Sequence, residues 1–205
     1  VVYPAIEKLV EIAFQNAPHS EHNEHILVAK LRQNADFIPA LSLCAKDEQG
    51  QIIGYVLLSK IMVGNQNELA LAPIAVLPEY QGQGVGKALI LHAHTVAKSL
   101  GFSYSILLGD PNYYQKLDYQ NASKFGIVSP FDVPDEYFMA YPLYSPPKKI
   151  AGIVVYPPEF GGLIYLNFHN CKILGKSHRL FFFQHFKNFP KMKNNLSFFA
   201  ILLHI

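Results

Sequence analysis

Six residues, Gln81-Gly82-Gln83-Gly84-Val85-Gly86, stand between an apolar run, Leu71–Val76, and a helix-like run, Lys87–Leu100, that Gly101 closes. A strand that passes through glycines into a helix N-terminus can hold an anion. The N–H groups of the first helical turn lack partners, and the positive end of the helix dipole favours phosphate without any cationic side chain. The glycines let a ligand come close to the backbone. Leu89, Ala93, Val96, Ala97 and Leu100 supply an inner face for the helix. An ordinary strand–helix turn has the same outline, so the loop alone does not decide the ligand.

Spacing removes two phosphate loops. A Walker loop needs glycine at Gln81 and serine or threonine at Ala88. A dinucleotide fingerprint needs glycine or alanine at Lys87 or Leu89, and an acidic residue at the end of the next strand, where none stands before Asp110. What remains, Gln-x-x-Gly-x-Gly after Ala75-Val76-Leu77-Pro78, resembles the coenzyme A pyrophosphate loop of the GNAT superfamily of acetyl-CoA-dependent N-acetyltransferases. A second stretch adds to it: Tyr114-Gln115-Lys116-Leu117-Asp118-Tyr119 is similar to that family's Tyr-x-Lys-Leu-Gly-Phe. Asp118 replaces the glycine and is among the few residues that tolerate a left-handed conformation. Leu108-Gly109-Asp110-Pro111, Ser129-Pro130-Phe131-Asp132-Val133-Pro134-Asp135 and the Gly-x-Val-x-Tyr-Pro of Gly152–Pro157 resemble the YhbS-like branch of predicted acetyltransferases. The resemblance covers about Tyr3–Phe160.

The resemblance implies an α+β fold: a mixed, mostly antiparallel sheet, flanked by helices, with one parallel pair splayed around the coenzyme. It implies acetyl transfer from acetyl-CoA, a cosubstrate, to a primary amine on a small-molecule or protein acceptor, by direct attack and without a metal. The pyrophosphate is expected on the backbone of Gln81, Gly82, Gln83, Gly84, Val85, Gly86 and Lys87. The pantetheine amides are expected along Ile74, Ala75 and Val76, as an added pseudo-strand. Tyr114 matches the tyrosine that serves the coenzyme sulfur, as an acid for the departing thiolate. Glu68 lies early on the central strand, near where the family often has a carboxylate base but about 7 Å further out, so a water would mediate. A surface glutamate is the plain alternative there, and core or surface aromatics the alternative for Tyr113, Tyr114 and Tyr119. A coenzyme-binding module without catalysis is the rival function.

Elements must position these groups. Pro4–Gln15 reads as a helix with Ile6, Leu9, Val10, Ala13 and Phe14 on one face. A second helix is expected over Glu21–Gln33, with Ser20 as N-cap. His19, His22 and His25, with Glu21 and Glu24, read as a polar face of it; by resemblance this helix borders the acceptor pocket. Strands follow at Leu41–Lys46, Ile52–Met62 and Glu68–Val76, turning at Asp47–Gly50 and Gly64–Asn67. Pro73 cannot donate to a ladder and marks an edge or a bulge in the strand that leads to the loop. Tyr104–Leu108 must return beside that strand in parallel, and Phe138–Leu143 and Gly152–Tyr156 close the sheet. By resemblance a first strand should precede the first helix; only Val1-Val2-Tyr3 stands there, which suggests a truncated chain.

The 205 residues, half of them hydrophobic and 16% charged, suit one full core. No apolar run reaches 18 residues, so no membrane span is expected. Cys44 and Cys171 form no framework or metal spacing, which points to a reducing, cytoplasmic setting. All 15 acidic residues precede Phe160, whereas six of the 17 basic ones follow it, so the two parts are read separately. Residues 1–162 are expected to form the acetyltransferase domain and 163–205 an atypical basic tail rich in phenylalanine, asparagine and lysine. That tail reads as read-through or frame-shifted sequence, with a nucleic-acid surface and a peripheral membrane segment as alternatives. No nucleic-acid partner is expected of the domain; a homodimer is left open.

Overall fold

A computed structural model describes residues 2–17, 20 and 22–161 of the chain. The expectations for the 163–205 tail lie outside the described residues, as do those for His19 and Glu21.

The chain opens with helix α1, Tyr3–Phe14, which buries Ile6, Leu9, Val10, Ala13 and Phe14, the stripe its periodicity predicts. Helix α2, Glu24–Gln33, starts three residues later than expected. Ser20 does not cap it: its hydroxyl donates to the Glu24 side chain and accepts from the His22 N–H. His22 holds a left-handed φ of 57°, which turns the chain and prevents helix from beginning earlier.

Strands β1 (Ser42–Lys46), β2 (Ile52–Val63) and β3 (Gln66–Val76) form an antiparallel meander. Helix α3 spans Val85–Ser99 and is followed by β4, Tyr104–Leu108, every residue of which is buried. A short helix α4, Pro111–Tyr114, leads to β5 (Gln120–Asn121), β6 (Ile127–Val128), β7 (Phe138–Pro142) and β8 (Gly152–Val155). The sheet runs β5-β7-β4-β3-β2-β8-β6, with β1 also on β2. Thus β2 holds β1 near its start and β8 at its end.

The fold class expected from the resemblance holds: a mixed sheet, mostly antiparallel, flanked by helices. Its β3–β4 pair is parallel, in register at Leu69 with Ser105 and Ala70 with Ile106. Beyond these pairs β3 is laddered to β2 and β4 to β7, so the two parallel strands part toward their C-terminal ends. Part of the cause is local. Between the pairs Val56–Ile74 and Leu58–Leu71, the register of β2 and β3 shifts, with two β3 residues, Ala72 and Pro73, opposite Leu57. This is a bulge at the proline, which bends β3 where it leaves β4.

Helix α3 packs on the face of β2 at Gly54. A Cβ there would lie 3.0 Å from both Leu89 Cδ1 and Val85 Cγ1, so the helix sits close because this residue has none. The inner face of α3 is Gly86, Leu89, Ile90, Ala93, His94 and Ala97. Leu100, expected inside, is 48% exposed because the helix ends at Ser99 and Gly101 turns the chain away with φ of 90°. No helix among the described residues is long and apolar enough to cross a membrane.

Candidate functional site

Because β3 and β4 run in parallel, the loop leaving β3 and the turn leaving β4 emerge at the same end of the sheet. Ile74, Ala75 and Val76 are the last residues of β3, buried and laddered to β2 on one side, with β4 no longer paired on the other. The loop that follows is tied at several points. Leu77 N–H donates to Ile53 O at 3.0 Å, and the Tyr80 hydroxyl donates to Asp47 Oδ2 at 3.1 Å. Gln81 Nε2 donates to Val76 O at 3.1 Å, and Gln83 Nε2 to Glu79 O at 2.8 Å. The two glutamine side chains therefore brace the loop from within.

Gly82 and Gly84 hold φ of 71° and 85°, and Gly84 is the N-cap of α3. A Cβ at either would meet no atom within 4 Å, so both glycines face open space. The first helical bond of α3 runs from Ala88 N–H to Gly84 O, 2.9 Å. The N–H groups of Val85, Gly86 and Lys87 precede it and so have no carbonyl within the helix. Backbone donors, left-handed glycines and a helix N-terminus thus meet at one place, a geometry suited to a phosphate group.

Across the gap, Gly109 N–H donates to Tyr137 O at 2.9 Å, and the Asp110 carboxylate caps α4 through Asn112 N–H at 2.9 Å. Tyr114, the last residue of α4, is fully buried. Its ring meets Tyr113 edge-on at 5.0 Å and Tyr119 at 5.6 Å. Burial pushes its phenol well above the ordinary range, so the hydroxyl stays protonated at neutral pH. Asp118 takes the left-handed φ of 63° that its place requires, turning the chain back so that Tyr119 N–H reaches Tyr114 O at 3.2 Å.

Glu68 lies elsewhere, at the N-terminal end of the parallel pair. Its Oε2 accepts from Ser103 and Tyr104 N–H groups, both at 2.8 Å, and only 2% of the residue is exposed. Burial raises its pKa against the pull of those two donors. The structure therefore joins Ile74–Val76, the Gln81–Lys87 loop and the Tyr114 turn at one end of the sheet, and sets Glu68 at the other. Among the described residues no cluster of histidine, cysteine and carboxylate groups suits a metal ion.

Two buried side chains able to carry a positive charge escaped the sequence reading. His94 Nε2 and the Tyr119 hydroxyl are 2.9 Å apart, and Ser105 Oγ shares a 2.8 Å bond with that hydroxyl. The His94 ring stacks on Tyr141 at 4.2 Å, its Nδ1 has no partner among the described residues, and burial lowers its pKa to about 4. Arg32, on α2, is the other: its side chain is only 6% exposed. Both stand four residues after a buried apolar residue, Ile90 and Val28, and that spacing is the signal that could have placed them inside.

Comparisons with known proteins show the family and the fold. The model of the acetyltransferase (GNAT) family matches residues 5–119. The chain is 32% identical over 147 residues to the uncharacterized N-acetyltransferase YjhQ of Escherichia coli K12, covering 67% of this chain and 81% of that protein. It is 27% identical over 160 residues to the uncharacterized N-acetyltransferase YhbS of the same strain, covering 77% and 92%. Among solved structures, Escherichia coli YhbS in complex with CoA superposes with a TM-score of 0.68 at 26% identity, over 77% of this chain and 86% of that one. A GNAT family acetyltransferase from Brucella melitensis in complex with acetyl-CoA gives 0.64 at 27%, over 78% and 92%.

Proposed function

The chain belongs to the acetyltransferase (GNAT) family, and from that premise we propose that it transfers the acetyl group of acetyl-CoA to a primary amine by direct attack, within a domain of residues 1–162. One observation carries the reading: a bulged strand, a loop with two outward-facing left-handed glycines and a helix N-terminus stand together beside the opening of the β3–β4 parallel pair that α3 bridges. Two solved relatives of similar fold hold CoA or acetyl-CoA, which supports acetyl-CoA as cosubstrate here.

In this reading the N–H groups of Gly82–Lys87 bind the pyrophosphate, and the free edge of Ile74–Val76 takes the pantetheine amides. Main-chain donors of that edge also stabilise charge developing on the thioester oxygen. The amine nitrogen attacks the carbonyl carbon, a C–N bond forms and the C–S bond breaks. The Tyr114 hydroxyl gives its proton to the departing thiolate and regains one from water, to which the amine's surplus proton leaves. Glu68 enters as a support: its carboxylate holds the start of β4 in place through two backbone N–H groups and stays out of the reaction.

The test is thiol release from acetyl-CoA by the full chain against a panel of primary amines. Release that needs both acetyl-CoA and an amine is expected. Tight coenzyme binding with no release by any amine would leave a binding module instead.

A further inference from the structure

Arg32 is an arginine drawn into the protein without a full set of partners. Helix α2 turns Glu24, Leu27, Val28 and Leu31 inward, and Arg32, one helical turn after Val28, follows the same stripe. Its Nη1 donates to Glu7 Oε1 of α1 at 3.2 Å, while the Glu7 side chain is 38% exposed. Nε and Nη2 are buried and make no hydrogen bond of good geometry among the described residues, although the guanidinium lies near enough to the Tyr55 hydroxyl to oppose the rise that burial gives its pKa. These two atoms share one edge of the planar fork, the edge that meets a carboxylate with two parallel N–H···O bonds. A guanidinium is always charged, and buried donors left unpaired are costly.

The position of this edge relates it to the site. The Arg32 Cζ lies 5.5 Å from the centre of the Tyr55 ring. Tyr55 pairs with Ala75 across the β2–β3 ladder, so the two side chains share a sheet face. Its neighbour Gly54 faces α3, and alternation puts Tyr55 on the opposite face. Arg32 is thus held on the sheet face opposite α3, behind the β3 segment proposed to carry the coenzyme arm, and the acetyl-transfer reading leaves that face for the acceptor. The hydroxyls of Tyr55 and Ser42, 2.9 Å apart, lie in the same cluster. The Tyr3 ring, 52% exposed, covers the guanidinium at 4.4 Å and is the group an entering ligand would displace.

We propose that Arg32 anchors the acceptor by a carboxylate, so that the acceptor is an amine that also carries a carboxyl group. A single guanidinium already shared with Glu7 suits a monoanion better than a phosphate dianion. The inference rests on the acetyl-transfer reading for its choice of acceptor side, but its test does not require turnover.

The experiment is calorimetric titration of the full chain, saturated with coenzyme A, by α-amino acids and by the matching α-amino amides. At least one amino acid is expected to bind tenfold or more tightly than its amide. Arg32→Lys, which keeps the charge and loses the two-donor edge, is expected to cut that preference to twofold or less. Glu7→Gln removes the competing carboxylate and should widen it; this arm decides the matter if Arg32→Lys does not fold. Equal binding of acids and amides, no binding by any amino acid, or an undiminished preference in Arg32→Lys would overturn the proposal. Selective binding of acids with no thiol release from acetyl-CoA would sink the transfer reading and leave the Arg32 anchor standing.

Discussion

The Tyr114 ring fills the space a side chain at Gly109 would take: a Cβ on Gly109 would lie 2.4 Å from Tyr114 Cε2 and 2.8 Å from its Cδ2. The glycine at the end of β4 thus sets where the phenol can sit. Gly109→Ala must push the ring or the turn aside, and overpacking of this kind costs about 1–3 kcal/mol. Urea denaturation is expected to show that loss, and turnover of the folded variant to fall, with acetyl-CoA affinity little changed. Unchanged turnover would mean that the ring's exact place is unimportant.

Tyr114→Phe keeps the ring and removes the hydroxyl. Positioned acids contribute about 10²–10⁴-fold, so single-turnover thiol release should slow by at least about 10²-fold while acetyl-CoA binding holds. Tyr113→Phe is the neighbour control and should stay near the parent rate. Full activity in Tyr114→Phe would make that residue a packing group only.

Glu68 separates a structural role from a chemical one. Glu68→Ala leaves the Ser103 and Tyr104 N–H groups without their acceptor. Hydrogen bonds to charged groups contribute about 1.5–3 kcal/mol each, so a loss of about 3 kcal/mol in unfolding free energy is expected. Glu68→Gln retains an acceptor oxygen and should lose less. Turnover per folded molecule should stay within about twofold in Glu68→Gln, whereas loss of a general base would cost about 10²-fold or more.

His94 is held neutral in the fold with its pKa near 4, against an ordinary value of 6.5. The unfolded chain therefore binds the proton first. Stability is fully present above pH 6.5, declines as the pH falls, and has lost this contribution by about pH 4. The loss is on the order of 3 kcal/mol. Tyr119, Tyr141 and Ser105, the groups around the ring, are uncharged there and offer no carboxylate to offset it. Thermal melting from pH 7 to pH 4 should fall further for the parent than for His94→Gln. Parallel curves would show that the ring takes up its proton in the fold as readily as in the unfolded chain.

Local features with a strong backbone requirement were legible in the sequence. The Gln81–Gly86 loop, the bulge at Pro73 and the left-handed Asp118 each follow from one residue's allowed φ or missing N–H. Long periodic elements were legible as well, α1 and α3 within two residues of their observed ends. Two-residue strands such as β5 and β6 carry no period to read, and their places depend on partners far along the chain, β7 and β8. The start of α2 was misplaced because Ser20 bonds to the Glu24 side chain and His22 turns the chain. Glu68 shows the limit for the site: its sequence position suggested a base, but only the fold reveals the two N–H groups that its carboxylate holds.

The central claim is that the outward face of Gly82 and Gly84 receives the coenzyme pyrophosphate, and calorimetric titration with acetyl-CoA tests it most directly. Gly84→Ala puts a methyl group into the open space before α3 and carries the strain of a left-handed φ, about 1–2 kcal/mol. Gly50→Ala is the control, because Gly50 has φ of 84°, also faces open space, and lies in the β1–β2 turn. The parent should bind one equivalent of acetyl-CoA, Gly50→Ala should match it, and Gly84→Ala should bind at least tenfold more weakly, a difference of about 1.4 kcal/mol. A parent that binds no acetyl-CoA, or a folded Gly84→Ala that binds it as tightly as Gly50→Ala, would contradict the account.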